Sequence, residues 1–130
     1  MATAADMAET VRGVEARGRR IFSASADVRD YTSLKQAVDE GVAELGRLDI
    51  VSANAGIFSF GSVTELDEAA WHQMVDFNLS GVWRTVKAAI PTMVAQGTGG
   101  SIVLTSSVAG LRGFGRAGHY VAAKHGVVGL

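Results

Sequence analysis

Tyr120 and Lys124 stand four residues apart, the spacing that sets two side chains on one face of a helix. A free phenol titrates near pH ~10 and is a poor proton carrier at neutrality. An ammonium beside a phenol favours the phenolate and brings it toward general acid–base work. A surface tyrosine near a surface lysine has the same spacing, so the pair alone says little. Its surroundings say more. Ser107 closes the apolar run Ser101-Ile-Val-Leu-Thr-Ser-Ser-Val-Ala-Gly110, thirteen residues before Tyr120. Asn54-Ala55-Gly56 closes the preceding apolar run, and Ala26-Asp27-Val28 closes the one before that. A hydroxyl such as that of Ser107 can stabilise an oxyanion developing next to it. A glycine after a strand, as at Gly56, lets a bulky ligand approach the backbone. Plainer readings stand beside these: Ser107 as a cap, Asp27 as an Asx turn, Asn78 as a local capping residue.

The elements that must position these residues follow from periodicity. Met7, Val11 and Val14 recur at helical spacing and predict an amphipathic helix ended near Gly18. A short strand is expected over Arg20–Ala26. From Tyr31, the residues Leu34, Ala37, Val38, Val42 and Leu45 line one helical face, with Gly46 as the stop. Leu48–Ala53 reads as a strand buried on both sides. After a loop through Gly56 and Gly61, Asp67 is a candidate N-cap. The helix it opens is expected to bend around Asn78–Gly81 and to resume with Val82, Val86, Ile90 and Met93 on one stripe. Pro91 predicts a kink or an early end there. Gly97, Gly99 and Gly100 lead into a strand over Ser101–Ser106, and the last helix begins near Ala117.

Helix and strand alternate throughout, the signature of a parallel sheet covered by helices. The expected fold is therefore α/β, an incomplete Rossmann-type doubly wound parallel sheet with three strands and helices on both faces. Ligands of such sheets lie beyond the carboxyl ends of the strands, which directs attention to Asp27, Asn54 and Ser107.

These features, in this order, resemble the short-chain dehydrogenase/reductase family from its third strand to the helix bearing Tyr-x-x-x-Lys. The resemblance covers essentially the whole chain, read as one partial domain over 1–130. The stretches Glu44–Gly56 and His119–Leu130 look most like the mycofactocin-coupled, carveol-dehydrogenase-like branch. The resemblance implies a nicotinamide-dependent oxidoreductase acting on a secondary alcohol or ketone. It implies Tyr120 as general acid–base and Lys124 as its activator and a ligand of the nicotinamide ribose. Ser107 is then a hydrogen-bond donor to the substrate oxygen, and Asn78 keeps the helix bend open around a proton-relaying water. Asp27 and Val28 are implied at the adenine, and Asn54, Ala55 and Gly56 along the cofactor. NAD is the implied cofactor, with NADP left open, and no metal is expected. A complete member is implied to be roughly twice this length, to form dimers or tetramers, and to work in the cytoplasm.

Two sequence features sharpen that expectation. Gly113-Phe-Gly115-Arg-Ala-Gly118 spells G-x-G-x-x-G, but a dinucleotide fingerprint should directly follow a strand and find an acidic residue about 20 positions on. Here it reads as the loop leading into the tyrosine helix. The family's own Thr-Gly-x-x-x-Gly-x-Gly turn does not occur in these 130 residues, so the chain by itself is expected to be inactive. In the strand order 3-2-1-4-5-6, the segment near Arg20–Ala26 should stand about 14 Å, three strand spacings, from Leu48–Ala53. The chain alone is expected to fold poorly or to close that gap in a non-native way. Two further readings are a non-catalytic remnant and a 3-oxoacyl-carrier-protein reductase-like enzyme.

Composition excludes other classes. Net charge is −1 with no basic stripe, which argues against a nucleic-acid or anionic-membrane partner. With 48% hydrophobic residues and one proline, the chain is globular and not a disordered tail. Cysteine is absent, which removes disulfide and thiolate chemistry and fits a reducing compartment. Met1–Thr10 lacks the basic-then-apolar pattern of a signal peptide.

Overall fold

A computed structural model describes residues 3–130, and its helices begin and end where side chains and glycines dictate. Helix α1 (Ala4–Glu15) opens on a reciprocal capping box between Thr3 and Asp6, and the chain turns away at Gly18, whose φ is 67°. Helix α2 (Tyr31–Leu45) is capped by Asp30, whose carboxylate accepts from the amides of Thr32 and Ser33, and stops at left-handed Gly46. Strand β1 spans Ile50–Ala53. Asp67 accepts from the Ala70 amide and starts α3 (Glu68–Val75). One wide π-turn, Asp76–Ser80, then joins α3 to α4 (Gly81–Ala95). Strand β2 (Ser101–Leu104) follows, and after a short 3-10 turn over Val108–Gly110 comes α5 (Gly118–Gly129).

The two strands pair in parallel, with Ile50 opposite Ser101 and Ala53 opposite Leu104. The core lies between this sheet and α4 and α5. Val51 packs on Ala89 and Met93, while Ala53 packs on Val82 and Val127. Each large side chain buried in this way contributes about 1.5–3 kcal/mol. Because the sheet is parallel and α4 and α5 lie on its face, the carboxyl ends of β1 and β2 open side by side onto the first turn of α5. That juxtaposition builds the site.

Three expectations meet a correction. The segment Arg20–Ala26 is extended but forms no strand, because the ladder needs neighbours and β1 and β2 pair only with each other. Side chains hold it instead: Phe22 lies against Gly41 of α2 and Val28 against Gly81 of α4, and the Arg20 guanidinium donates to the Glu44 carbonyl. The sheet is covered by helices on one face and not on both. Burial alternates along β1, leaving Ile50 70% exposed and Val103 of β2 52% exposed. Pro91 does not end its helix, since α4 runs on to Ala95 with Pro91 on the exposed side.

The unpaired segment gives a first prediction. In hydrogen–deuterium exchange, amides over 20–26 exchange fast. The amides of Ser101 and Thr105, which donate to the carbonyls of Asp49 and Ala53, exchange at least about 10³-fold slower. Equal protection of the two sets would show that the first segment has found a partner strand.

Candidate active site

Tyr120 lies in the first turn of α5, and its ring borders a pocket of 340 Å³ lined by Phe58, Phe60, Ser107, Ala109, Phe114 and Ala117. Ser107 and Tyr120 are the only lining residues with polar side chains. Ser107 sits where β2 gives way to the 3-10 turn, and its Oγ accepts from the Ala109 amide at 3.2 Å. The capping role foreseen for Ser107 is therefore real, and it anchors the hydroxyl at the pocket wall.

Lys124 follows one turn later on α5 and is only 4% exposed. Its ammonium donates to the Thr105 carbonyl at 2.7 Å and stands 5.8 Å from the centroid of the Tyr120 ring. Burial pushes the Lys124 ammonium below the ordinary lysine value. The folded chain thus holds this charge at a cost, which the carbonyl at the end of β2 partly offsets. Ser106 adds a second tie between strand and helix, its Oγ donating to the Lys124 carbonyl at 2.8 Å.

Asn78 occupies the middle of the π-turn and is fully buried. Its Nδ2 donates to the carbonyls of Ile57 and Met74, and its Oδ1 accepts from the Ile57 amide at 3.1 Å. The wide turn is thereby stitched to the loop after β1. Gly56 is the meeting point: a Cβ there would stand 2.5 Å from Asn78 Oδ1 and 3.9 Å from Lys124 Nζ. Only glycine lets the loop, the π-turn and the lysine approach one another so closely. Replacing Asn78 with alanine leaves both Ile57 backbone groups unpaired, and urea unfolding should report a loss of about 2–4 kcal/mol. A loss below about 1 kcal/mol would mean that the loop re-pairs elsewhere.

Ser107 and Tyr120 thus share one pocket, with Lys124, Asn78 and Gly56 packed together behind it. Asn54 and Ala55 lie exposed at the carboxyl end of β1. Asp27 and Val28 do not border the pocket. Asp27 forms the foreseen Asx turn, accepting from the Arg29 amide, and pairs with the Arg29 guanidinium at 2.6 Å. That hydrogen-bonded guanidinium holds the Asp27 carboxyl down at about 2. Arg29 in turn stacks over Phe77 of the π-turn, 4.4 Å from the ring centroid, which ties this strand end to the turn carrying Asn78.

The pocket also contains residues that spacing did not reveal. Phe58 meets the Tyr120 ring edge-on at 4.9 Å, and Phe60 meets Phe58 at 4.8 Å. Phe114 belongs to the glycine-rich loop, which connects the 3-10 turn to α5 and does not directly follow a strand. His119 is fully buried beside Tyr120. The alternation Phe58-x-Phe60 directly after a glycine-bearing strand end was the one available signal for the aromatic wall. Among the described residues, no group of three or more His, Cys, Asp or Glu could hold a metal.

Comparison with known proteins agrees with this geometry. The family model of short chain dehydrogenases matches residues 1–130. The (−)-trans-carveol dehydrogenase of Rhodococcus erythropolis is 53% identical over 131 residues, covering 100% of this chain and 47% of that protein. The crystal structure of carveol dehydrogenase from Mycobacterium avium in complex with NAD superposes with a TM-score of 0.96 at 51% identity, over 99% of this chain and 47% of that one. A short chain dehydrogenase from Mycobacterium paratuberculosis bound to NAD gives a TM-score of 0.95 at 44% identity, over 98% and 47% of the two chains. The chain therefore spans about half the length of the relatives it matches. With the pocket, the tyrosine–lysine helix and the whole-length match together, the chain belongs to the short-chain dehydrogenase family.

Proposed function

We propose that these residues form the catalytic half of a nicotinamide-dependent dehydrogenase that interconverts an uncharged secondary alcohol and its ketone. One observation carries the proposal: Tyr120 and Ser107 border a single, mostly apolar pocket, with a buried lysine one helical turn behind the tyrosine. In this reading Tyr120 takes the proton from the substrate hydroxyl during oxidation and returns it during reduction. Ser107 donates a hydrogen bond to the substrate oxygen and holds it against the phenol. The Lys124 ammonium stabilises the negative charge left on the phenol oxygen when its proton departs, an effect strengthened by the low dielectric of the buried site. Asn78 fixes the loop that frames the pocket and serves the proton path from the π-turn. The nicotinamide, when bound, accepts or returns the hydride.

The residues present suit that cofactor. An ammonium has three donors, and Lys124 gives one to Thr105, leaving capacity for a ribose diol. Asn54, Ala55 and Gly56 are exposed at the end of β1, and Asp27 and Val28, at the end of the extended segment 20–26, are proposed for the adenine. We take NAD as the cofactor, supported by the NAD held in the related structures. The strand end that chooses between NAD and NADP is not among these residues. Neither is the pyrophosphate-binding turn, so the 130-residue chain alone should not turn over. We also propose assembly with further copies, supported by exposed Trp83, Ile90 and Val94 along α4, and a cytoplasmic location. No helix among the described residues is long and apolar enough to cross a membrane.

The test is a chimera in which this chain replaces the matching 131 residues of the R. erythropolis (−)-trans-carveol dehydrogenase. With NAD and an uncharged secondary alcohol it should produce NADH, whereas the isolated chain produces none. A chimera that melts cooperatively yet gives no NADH, beside an active parent enzyme, would sink the proposal and favour a non-catalytic remnant.

A further inference from the structure

We infer that His119 is a positioning residue, holding the aromatic wall of the pocket in place through Ser59. The two side chains meet at 3.0 Å, His119 Nε2 to Ser59 Oγ. Ser59 lies between Phe58 and Phe60 in the chain; Phe58 meets both the Phe60 ring and the Tyr120 ring edge-on. An exposed loop has no reason of its own to hold two phenylalanines at a pocket wall while they remain 53% and 71% exposed. The loop is fastened at two points to the segment entering α5. One is the Gly61 amide, which donates to the Arg116 carbonyl at 2.8 Å. The other is the Ser59–His119 contact, and it alone acts between the two rings.

The burial of His119 supports a dedicated role. The imidazole is fully buried, and its Nδ1 has no hydrogen-bond partner. An unmade hydrogen bond in the interior costs about 1–3 kcal/mol, so an apolar residue of similar volume would pack at this position with less penalty. Buried N–H groups without partners are rarer than buried acceptors without them. With the proton on Nε2, the ring donates to Ser59 Oγ and leaves Nδ1 as a bare acceptor, the arrangement that orphans no N–H. His119 adjoins Tyr120 in sequence, and it also borders a second cavity of 360 Å³ with Val63, Leu66 and Trp71. The imidazole thus stands as a partition between that cavity and the loop carrying the wall, and through Ser59 it sets how closely Phe58 lies against the catalytic ring.

The inference rests on the dehydrogenase reading for its consequence, but not for its geometry, so two measurements separate them. In the chimera, Ser59→Ala should raise KM for an apolar secondary alcohol about tenfold, with kcat kept within about twofold, because ground-state and transition-state binding are lost together. Ser59→Thr keeps the hydroxyl, and His119→Gln supplies an amide N–H near the position of Nε2. Both should return KM to within about threefold of the parent. In the same chimera, nuclear Overhauser contacts between the Phe58 and Tyr120 rings should vanish in Ser59→Ala and persist in Ser59→Thr. A lower melting temperature in Ser59→Ala with the ring contacts and KM unchanged would overturn the positioning role and leave His119 as plain packing. An inactive parent chimera in which Ser59→Ala still abolishes the ring contacts would refute the dehydrogenase reading and leave the positioning role standing.

Discussion

Tyr120→Phe in the active chimera lowers kcat by about 10³-fold, within the range that a positioned acid–base group contributes. The change removes one oxygen and nothing that holds the fold. No hydrogen bond of the described residues involves the Tyr120 hydroxyl, whereas its ring packs edge-on against Phe58. Phenylalanine keeps that ring contact, so the melting temperature and the substrate KM stay near the parent values. The split between kcat and stability is the informative part. Ser107→Ala should behave differently, because Ser107 Oγ also accepts from the Ala109 amide. It costs the 3-10 turn Val108–Gly110 its cap, about 1 kcal/mol by analogy with other caps, in addition to its kinetic effect. A Tyr120→Phe chimera retaining more than about a tenth of the parent kcat would remove Tyr120 from the proton path.

Much of this arrangement was legible in the sequence because local chemistry encoded it. Asp30 and Asp67 cap their helices as carboxylates do before an apolar stripe, and Gly46 ends α2 in the left-handed conformation that side-chain-bearing residues disfavour. The bend at Asn78 was readable as a break in periodicity, and the structure resolves it as a π-turn, a geometry often found at functional sites. Tyr120 and Lys124 do share a helical face, with the lysine buried and not at the surface. What was not legible depends on partners distant in sequence. A β-propensity at Arg20–Ala26 makes a strand only if a neighbour supplies the ladder, and none does. The apolar run at Leu48–Ala53 announced burial on both faces, but within the chain helices α4 and α5 cover one. Ser59, next to Phe58, lies sixty residues from His119 along the chain, and no periodicity links a loop to a helix start.

The G-x-G-x-x-G stretch shows most directly why sequence pattern and physical need diverge, and alanine substitution separates the two. Gly113 and Gly115 belong to that pattern, yet a Cβ at either meets nothing within 4 Å, so both alanine variants should fall within about 0.5 kcal/mol of the parent stability. Gly110 belongs to no motif. A Cβ there would run into Ser106 Oγ and stand 2.7 Å from the Lys124 carbonyl oxygen and 3.1 Å from its carbon. The side chain can rotate away, but the helix backbone cannot yield without moving α5 off the end of β2. Gly110→Ala therefore breaks the Ser106–Lys124 hydrogen bond and shifts the helix that carries both Tyr120 and Lys124. The expected cost is about 3 kcal/mol, the upper part of the range for overpacking a closed interior, read as a lower denaturation midpoint with unchanged slope. In the chimera kcat falls with it, since a displacement of even ~1 Å at reacting groups costs about 10²-fold. If Gly110→Ala matched the Gly113 and Gly115 variants in stability and rate, the close seat of α5 on β2 would not be what positions the tyrosine and the lysine.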